Sequence, residues 1–522
     1  MNILVIRLHR LGDILQLTPM LEGIKRHYPG SVTTFLTSDR LADALSGNPF
    51  VDRILTIPEL QWRCLAKGEF RDRIKAFLAV HRLAAFLREE RFDLVINRQY
   101  EEGGILAAMA DAPQVNGGVF SPQRGHVFDD EPSRELFDAV KSDRRGNRRN
   151  LVDWSLRIAG APPGSGRMCL NIPRANAREA DHVLASVGGK LPPIAVQLGA
   201  ARSFRCWGAG NFAAVIRRLA DFHGRSVVLL GSPDERELAE GVLAGCGRLS
   251  GRIVDLVGKT SLKTLGAVLQ RCEVLISGDT GTAHVAAAVR TPVISLFFGT
   301  AYPWETAPYG TGNLVLFADL PCAPCLDPSR CGHGQACRSA VRSEHVCRAW
   351  EIRKSLSRGK DQIEGWRDDV VRLLVTWKEE DAEITLNDFN AFDTLDPASL
   401  LSSRREKEEK ASRLDTSEEE FRFLEEMESR LCEALYLHET PWEEPLAGYL
   451  DAWRHVISFG CVKEGSAEAA RIILKDLPPL FGTAASALSS GDPVAVGDIV
   501  RSGFRPLRQS LQASVAGPSS EN

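Results

Sequence analysis

The chain opens on an apolar, β-branched run, MNILVIRL (residues 1–8), which reads as a buried parallel strand. The turn HRLGD follows, and Leu17, Met20, Leu21 and Ile24 then recur at helical spacing. VTTFLT (32–37), RILTIP (53–58) and DLVINR (93–98) read as further strands, with a long helix over Phe70 to Glu90. The pattern then restarts. PIAVQLG (193–199), SVVLLG (226–231), RIVDLVG (252–258), EVLISG (273–278) and TPVISLFFG (291–299) are strands. Helices over Asn211–Phe222, Glu235–Leu243 and Ser261–Gln270 separate them. Alternation of this kind predicts an α/β chain of two Rossmann-like, doubly wound lobes, one over 1–170 and one over 171–350. Residues 162–178, rich in Pro, Gly and Arg, are the expected hinge. A cleft should lie between the C-terminal ends of the two sets of strands.

After Phe317 the pattern changes. A cysteine-rich loop spans 321–337. Helices are expected over about 342–357 and 363–378, and residues 379–413 are charged and poor in large apolar side chains. Residues 351–413 therefore read as helices and a charged linker. Glu418 to Tyr436 again places apolar residues at helical spacing, so 414–512 read as a helical extension of no legible role. The last ten residues have the composition of a disordered tail.

Composition narrows the class. With 522 residues, 44% hydrophobic and 25% charged, the chain has enough apolar mass for two or three soluble domains. A net charge of -4 argues against a nucleic-acid-coating protein. The most apolar stretch, Ala283 to Gly299, is broken by Arg290 and Pro292, whereas a membrane span needs roughly 20 apolar residues. The N-terminal apolar run has strand length and meets Arg7 at once, unlike a signal peptide. The expected location is the cytoplasm, where the 12 cysteines should be reduced or metal-bound.

Residues 277–289 read SGDTGTAHVAAAV. A strand ends there and a helix of small residues begins. Gly278 and Gly281 allow close backbone approach. Thr280 and Thr282 offer hydroxyls, and the helix N-terminus offers free N–H groups. These are the parts of a diphosphate cradle; the alternative is a core helix capped by Asp279 and Thr280. The anionic Asp279 should point away from phosphates. An aspartic-protease reading of DTG fails on context, because this turn opens an alanine-rich helix between βα units. Asp13 alone reads equally as a cleft base or as a first-turn Asp favoured by the helix dipole.

Three stretches resemble glycosyltransferase family 9, the bacterial ADP-heptose:lipopolysaccharide heptosyltransferases: ILVIRLHRLGDILQLTPMLEGIKRHYP (3–29), NPFVDRILTIP (48–58) and the block from Val257 to Gly310. The resemblance covers about residues 1–350 and implies a GT-B fold, two Rossmann-like lobes around a cleft. It implies inverting transfer of a heptose from ADP-L-glycero-D-manno-heptose to the lipopolysaccharide inner core, with peripheral contact at the inner membrane. It places the general base at Asp13, in the Gly12-Asp13 turn. On the donor side it points to Arg205, where the family usually has a lysine just before a tryptophan, and to Glu235, for which a solvated first-turn Glu is the alternative. Asp279, Thr280, Gly281, Thr282 and His284 belong to the turn already described, and Lys259, directly after a glycine, is a further candidate to face the nucleotide. Arg202 competes with Arg205. His284 is expected to hydrogen-bond within its turn. No cofactor is required and no bound catalytic metal is expected, since no DxD-type element stands in place; Mg²⁺ is left open as an aid to the leaving group.

Acceptor contacts are expected on the first lobe. Residues 63–91 hold eight Lys/Arg against four Asp/Glu, and Arg71, Lys75 and Arg82 fall near one helical face. Arg98 and Arg124 are further candidates, and for each of these side chains a solvated surface role is the alternative. In PCAPCLDPSRCGHGQAC (321–337), Cys322, Cys325, Cys331 and Cys337 have a spacing that could hold structural zinc, form disulfides or remain free thiols. Two other functions stay open: transfer by the same fold to a protein or another glycan, and a non-catalytic scaffold.

Overall fold

The computed structural model describes residues 1–59, 70–100, 102–121, 125–141, 144–185, 187, 191–325, 331–356, 370–377 and 385–388. The chain divides after Asp396, and all described residues fall in the first unit. The extension expected over 414–512 lies outside them.

The first sheet contains β1 (Asn2–Ile6), β2 (Val32–Ser38), β3 (Arg53–Ile57), β4 (Leu94–Asn97), β5 (Gln114–Ser121) and β6 (Gly125–Phe128), in the order β3-β2-β1-β4-β5-β6. All neighbours are parallel except β5 and β6, which form a hairpin. Leu4, Val5 and Ile6 are wholly buried, as a strand covered by helices on both faces requires. The chain order reverses between β1 and β4, so the loops after these strands diverge and leave a crevice. The segment after β1, running into the first turn of the next helix, carries Arg7 to Asp13, and the loop after β4 carries Arg98 to Tyr100.

The second sheet contains β7 (Ile194–Gln197), β8 (Val227–Leu230), β9 (Ile253–Asp255), β10 (Val274–Gly278), β11 (Val293–Phe297), β12 (Leu314–Ala318), β13 (Val371–Trp377) and β14 (Thr385–Asp388). Its order is β14-β13-β12-β11-β10-β7-β8-β9, with the switch point between β7 and β10. Gly199 to Arg205 and Gly278 to Thr282 lie at that second crevice.

The structure corrects the expected helix over 363–378. Within its described part, 370–377, Val371–Trp377 is a strand antiparallel to β12, and Thr385–Asp388, inside the expected linker, is a strand antiparallel to β13. VRLLVTW is a short apolar run whose periodicity fits either element, and its β-branched and aromatic residues favour the sheet. The expected hinge is also partly ordered. Arg174–Leu184 is a helix. Before it, the Cys169 N–H donates to Thr18 Oγ1 at 3.0 Å and the Arg167 N–H to Glu22 Oε2 at 3.1 Å, tying the crossover to the helix Thr18–His27. No helix among the described residues is long and apolar enough to cross a membrane.

Candidate functional site

Both switch points open into one cleft of about 1520 Å³. The helices Leu11–Gln16 and Gly281–Ala288 meet across it, end against end. Gly12 permits the approach. A Cβ at this position would lie 2.6 Å from His284 Cδ2, and a Cβ at Gly281 would lie 3.5 Å from Leu11. The Gly12-Asp13 turn and the Gly278–His284 turn therefore form one site.

Asp13 lies in the first turn of Leu11–Gln16 and lines the cleft. Arg7, just past β1, donates from Nη2 to Asp13 Oδ2 and from Nη1 to the Arg98 carbonyl oxygen. Burial, then Arg98 and Arg10, push the Arg7 pKa down to about 9, which still leaves it cationic at neutral pH. The pair fixes one carboxylate oxygen of Asp13. Sequence reasoning missed Arg7, although its place directly after the switch-point strand was a usable signal.

On the facing lobe, Thr280 has extended backbone and Gly281 starts the helix. The N–H groups of Gly281 and Thr282 have no partner among the described residues, so two donors at the positive helix end face the cleft. Thr282 Oγ1 donates to Gln197 Oε1 at 2.9 Å, and Gln197 Nε2 donates to Glu235 Oε2 at 3.0 Å. Glu235 also accepts the Ser232 N–H at 2.9 Å in a capping box. Burial nevertheless raises its pKa above the ordinary carboxylate value. This chain of bonds links the ends of β7, β8 and β10.

Arg205 is held on both sides. Its Nη1 meets Asp279 Oδ2 at 3.0 Å, and its Nε and Nη2 donate to Thr300 Oγ1. Burial raises the Asp279 pKa despite the opposing pull of Arg205. Arg144, from the first lobe, forms a bidentate pair with Glu305, which is only 3% exposed. Arg202 is exposed, lines the cleft and has no side-chain partner among the described residues. It is therefore the uncommitted cation of its loop.

Other candidates lie differently from expectation. Lys259 does not line the cleft; its Nζ donates to the Asp255 carbonyl oxygen at 2.9 Å. His284 does not bond within its turn; its ring packs on Gly12 and its buried Nδ1 has no partner. Arg98 lines the cleft. The side chains of Arg71 and Lys75, and all of Arg124, lie outside the described set. The four-cysteine zinc site is not assembled. Cys322, Cys325, Cys331 and Cys337 are free, and no group of three or more His, Cys, Asp or Glu among the described residues could hold a metal ion. Burial, with lesser repulsion among the thiols, pushes Cys325 up to about 11.

Gly12→Ala must displace the His284 ring or part the lobes, so turnover should fall at least roughly tenfold, with a stability loss of about 1–3 kcal/mol. Adding His284→Ala should recover part of both losses in rate and melting measurements. A fully active single variant would contradict the contact. Separately, burial holds His284 at about 4, against 6.5 for the free side chain. Between these pH values the unfolded ring takes a proton that the buried ring refuses. Stability should be unaffected above pH 6.5 and fall by roughly 3 kcal/mol as pH drops towards 4. His284→Gln should flatten that part of the urea-denaturation profile; an unchanged slope would assign the effect elsewhere.

Residues 160–333 match the model of glycosyltransferase family 9 (heptosyltransferase). A lipopolysaccharide heptosyltransferase 3 of Escherichia coli is 28% identical over 307 residues, covering 56% of this chain and 84% of its own length. Among solved structures, a glycosyl transferase family 9 protein from Veillonella parvula matches with 23% identity and a TM-score of 0.53. The match covers 67% of this chain and 96% of that one. The E. coli ADP-heptose lps heptosyltransferase II matches with 20% identity and a TM-score of 0.51, over 69% of this chain and 100% of its own. These likenesses support the GT-B arrangement of the two lobes.

Proposed function

We propose that the chain is a glycosyltransferase of family 9 that moves a heptose from ADP-L-glycero-D-manno-heptose to a hydroxyl of the lipopolysaccharide inner core, inverting the anomeric carbon. The observation that carries this reading is the meeting of Asp13 with the donor-rich Gly278–His284 turn across one cleft. Inversion needs a carboxylate on the acceptor side, opposite the departing diphosphate, as in inverting glycosidases. Asp13 takes the acceptor proton on its free oxygen while Arg7 holds the other. The diphosphate rests on the N–H groups of Gly281 and Thr282, where the helix end stabilises developing negative charge. Arg202 supplies the mobile cation. Arg205 and Asp279 keep the turn in shape, and Mg²⁺ arriving with the nucleotide would add to the same compensation. A lipid-linked acceptor would be met at the cytoplasmic face of the inner membrane.

Much of the chain beyond the matched region has no counterpart in the E. coli relative. That leaves a protein or another glycan as a second acceptor class. Incubation with ADP-heptose and either a Kdo-lipid acceptor or a cell lysate separates the readings. Acceptor-dependent ADP release with a heptosylated lipid is expected. A labelled protein instead would move the reading to the second class, and release with neither acceptor would overturn both.

A further inference from the structure

Gln197 ends β7, the strand that lies between β10 and β8 in the second sheet. The residue is only 6% exposed, yet it lines the cleft. On one side of it β10 leads into the turn over 278–282. On the other, β8 leads into the turn over 231–235.

The neighbours fix the orientation of its amide. Glu235 accepts from the N–H groups of Ser232 and Gly199 as well as from Gln197 Nε2. A Cβ on Gly199 or Gly231 would run into this carboxylate, so both glycines make room for it. A carboxylate ringed by donors only accepts. Gln197 must therefore turn its NH₂ to Glu235 and its carbonyl oxygen to Thr282. The Thr282 hydroxyl then spends its one proton on Gln197 Oε1, at 2.9 Å. Thr280 is committed in the same way. The Ser277 hydroxyl donates to the Gly278 carbonyl oxygen at 2.8 Å, so Thr280 Oγ1, 3.0 Å from Ser277 Oγ, must donate to it. The two hydroxyls that the sequence offered to a diphosphate thus have no proton left for an anion.

We infer that Gln197 is a positioning residue for the donor, bridging the turn after β10 to the turn after β8, and that Thr282 serves the donor through Gln197 rather than by a hydroxyl bond to the phosphates. The inference rests on the proposed use of an ADP-sugar. A nucleotide seated on the Gly281 and Thr282 N–H groups can lay its nucleoside against the turn after β8, where an acidic side chain suits ribose hydroxyls. Glu235 has about four acceptor positions, and its three protein donors leave one for such a hydroxyl. The amide bridge sets the spacing of the two turns before the ligand arrives. A ligand that spans both turns gains from that preorganisation, and a fragment that touches one turn does not.

Calorimetric titration of the full chain with ADP and with inorganic pyrophosphate tests the bridge. Gln197→Leu and Thr282→Val should each weaken ADP binding roughly tenfold and pyrophosphate binding less than about threefold. The double variant should lose no more than about threefold beyond either single one, because both substitutions break the same bridge. In turnover, Gln197→Leu should raise the donor KM by a like factor and keep kcat within about threefold of wild type. Losses that multiply to roughly a hundredfold in the double variant would put the Thr282 hydroxyl on the phosphates and overturn the inference. Unchanged ADP affinity in both single variants, equal losses on ADP and pyrophosphate, or an effect confined to kcat would overturn it as well. If Gln197→Leu does not fold, Thr282→Val decides alone: a loss selective for ADP supports the bridge, and an equal loss or none refutes it. A wild type that binds no ADP at millimolar concentration overturns the donor reading itself, and the inference with it.

Discussion

Asp13→Asn lowers turnover by roughly a thousandfold, within the usual range for loss of a general acid or base, and leaves ADP affinity within about twofold of wild type. Asparagine keeps the size of the side chain and a carbonyl oxygen for Arg7 Nη2, so the turn can retain its shape. It removes the negative charge that can accept a proton from a sugar hydroxyl. ADP affinity should hold because the helix-end N–H groups that receive the diphosphate belong to the other lobe. Steady-state rates and calorimetric ADP titration check both halves. Turnover within tenfold of wild type would remove Asp13 from the chemistry, and a large loss of ADP binding would give it a different place.

Arg205→Ala is expected to lower kcat/KM for the donor at least roughly a hundredfold and to destabilise the fold by about 3 kcal/mol. The variant leaves Asp279, only 11% exposed, without its cation, and frees the Thr300 hydroxyl. The turn between β10 and the following helix then loses its brace, and the donor N–H groups of Gly281 and Thr282 lose their aim. Arg205→Lys should recover part of the stability and little of the rate, because an ammonium cannot bridge Asp279 and Thr300 with a planar fork. Arg202→Ala should behave oppositely, weakening donor binding with no change in melting temperature. Chemical denaturation and donor KM for the three variants separate bracing from binding. Equal stability of Arg205→Ala and wild type would contradict the bracing role.

The two sheets were legible because parallel, buried strands leave continuous apolar runs, and those of β1, β2, β10 and β11 fall where the runs place them. The Gly278–His284 turn was legible as well, since glycines, hydroxyls and a small-residue helix sit together in sequence. What stayed hidden depends on neighbours distant in the chain. Arg7 reads as the end of a strand until β4 is laid beside β1 and Arg98 supplies the carbonyl that anchors it. Tyr100, Phe128 and Phe137 look like ordinary core positions until the β5–β6 hairpin and the helix Glu131–Lys141 bring them to the cleft wall. Lys259 looked available beside a glycine, but Asp255 four residues earlier claims it. His284 was assigned a local bond because its partner, Gly12, is a residue with no side chain to announce the contact. Strand β13 was misread because a seven-residue apolar run carries too little periodicity to choose between helix and strand.

A crystal structure with ADP bound tests the division of labour across the cleft most directly. The diphosphate is expected within about 3 Å of the Gly281 and Thr282 nitrogens, with Asp13 facing it across open space for the acceptor. A diphosphate seated on Arg98 and Arg10 instead, against the first lobe, would contradict it.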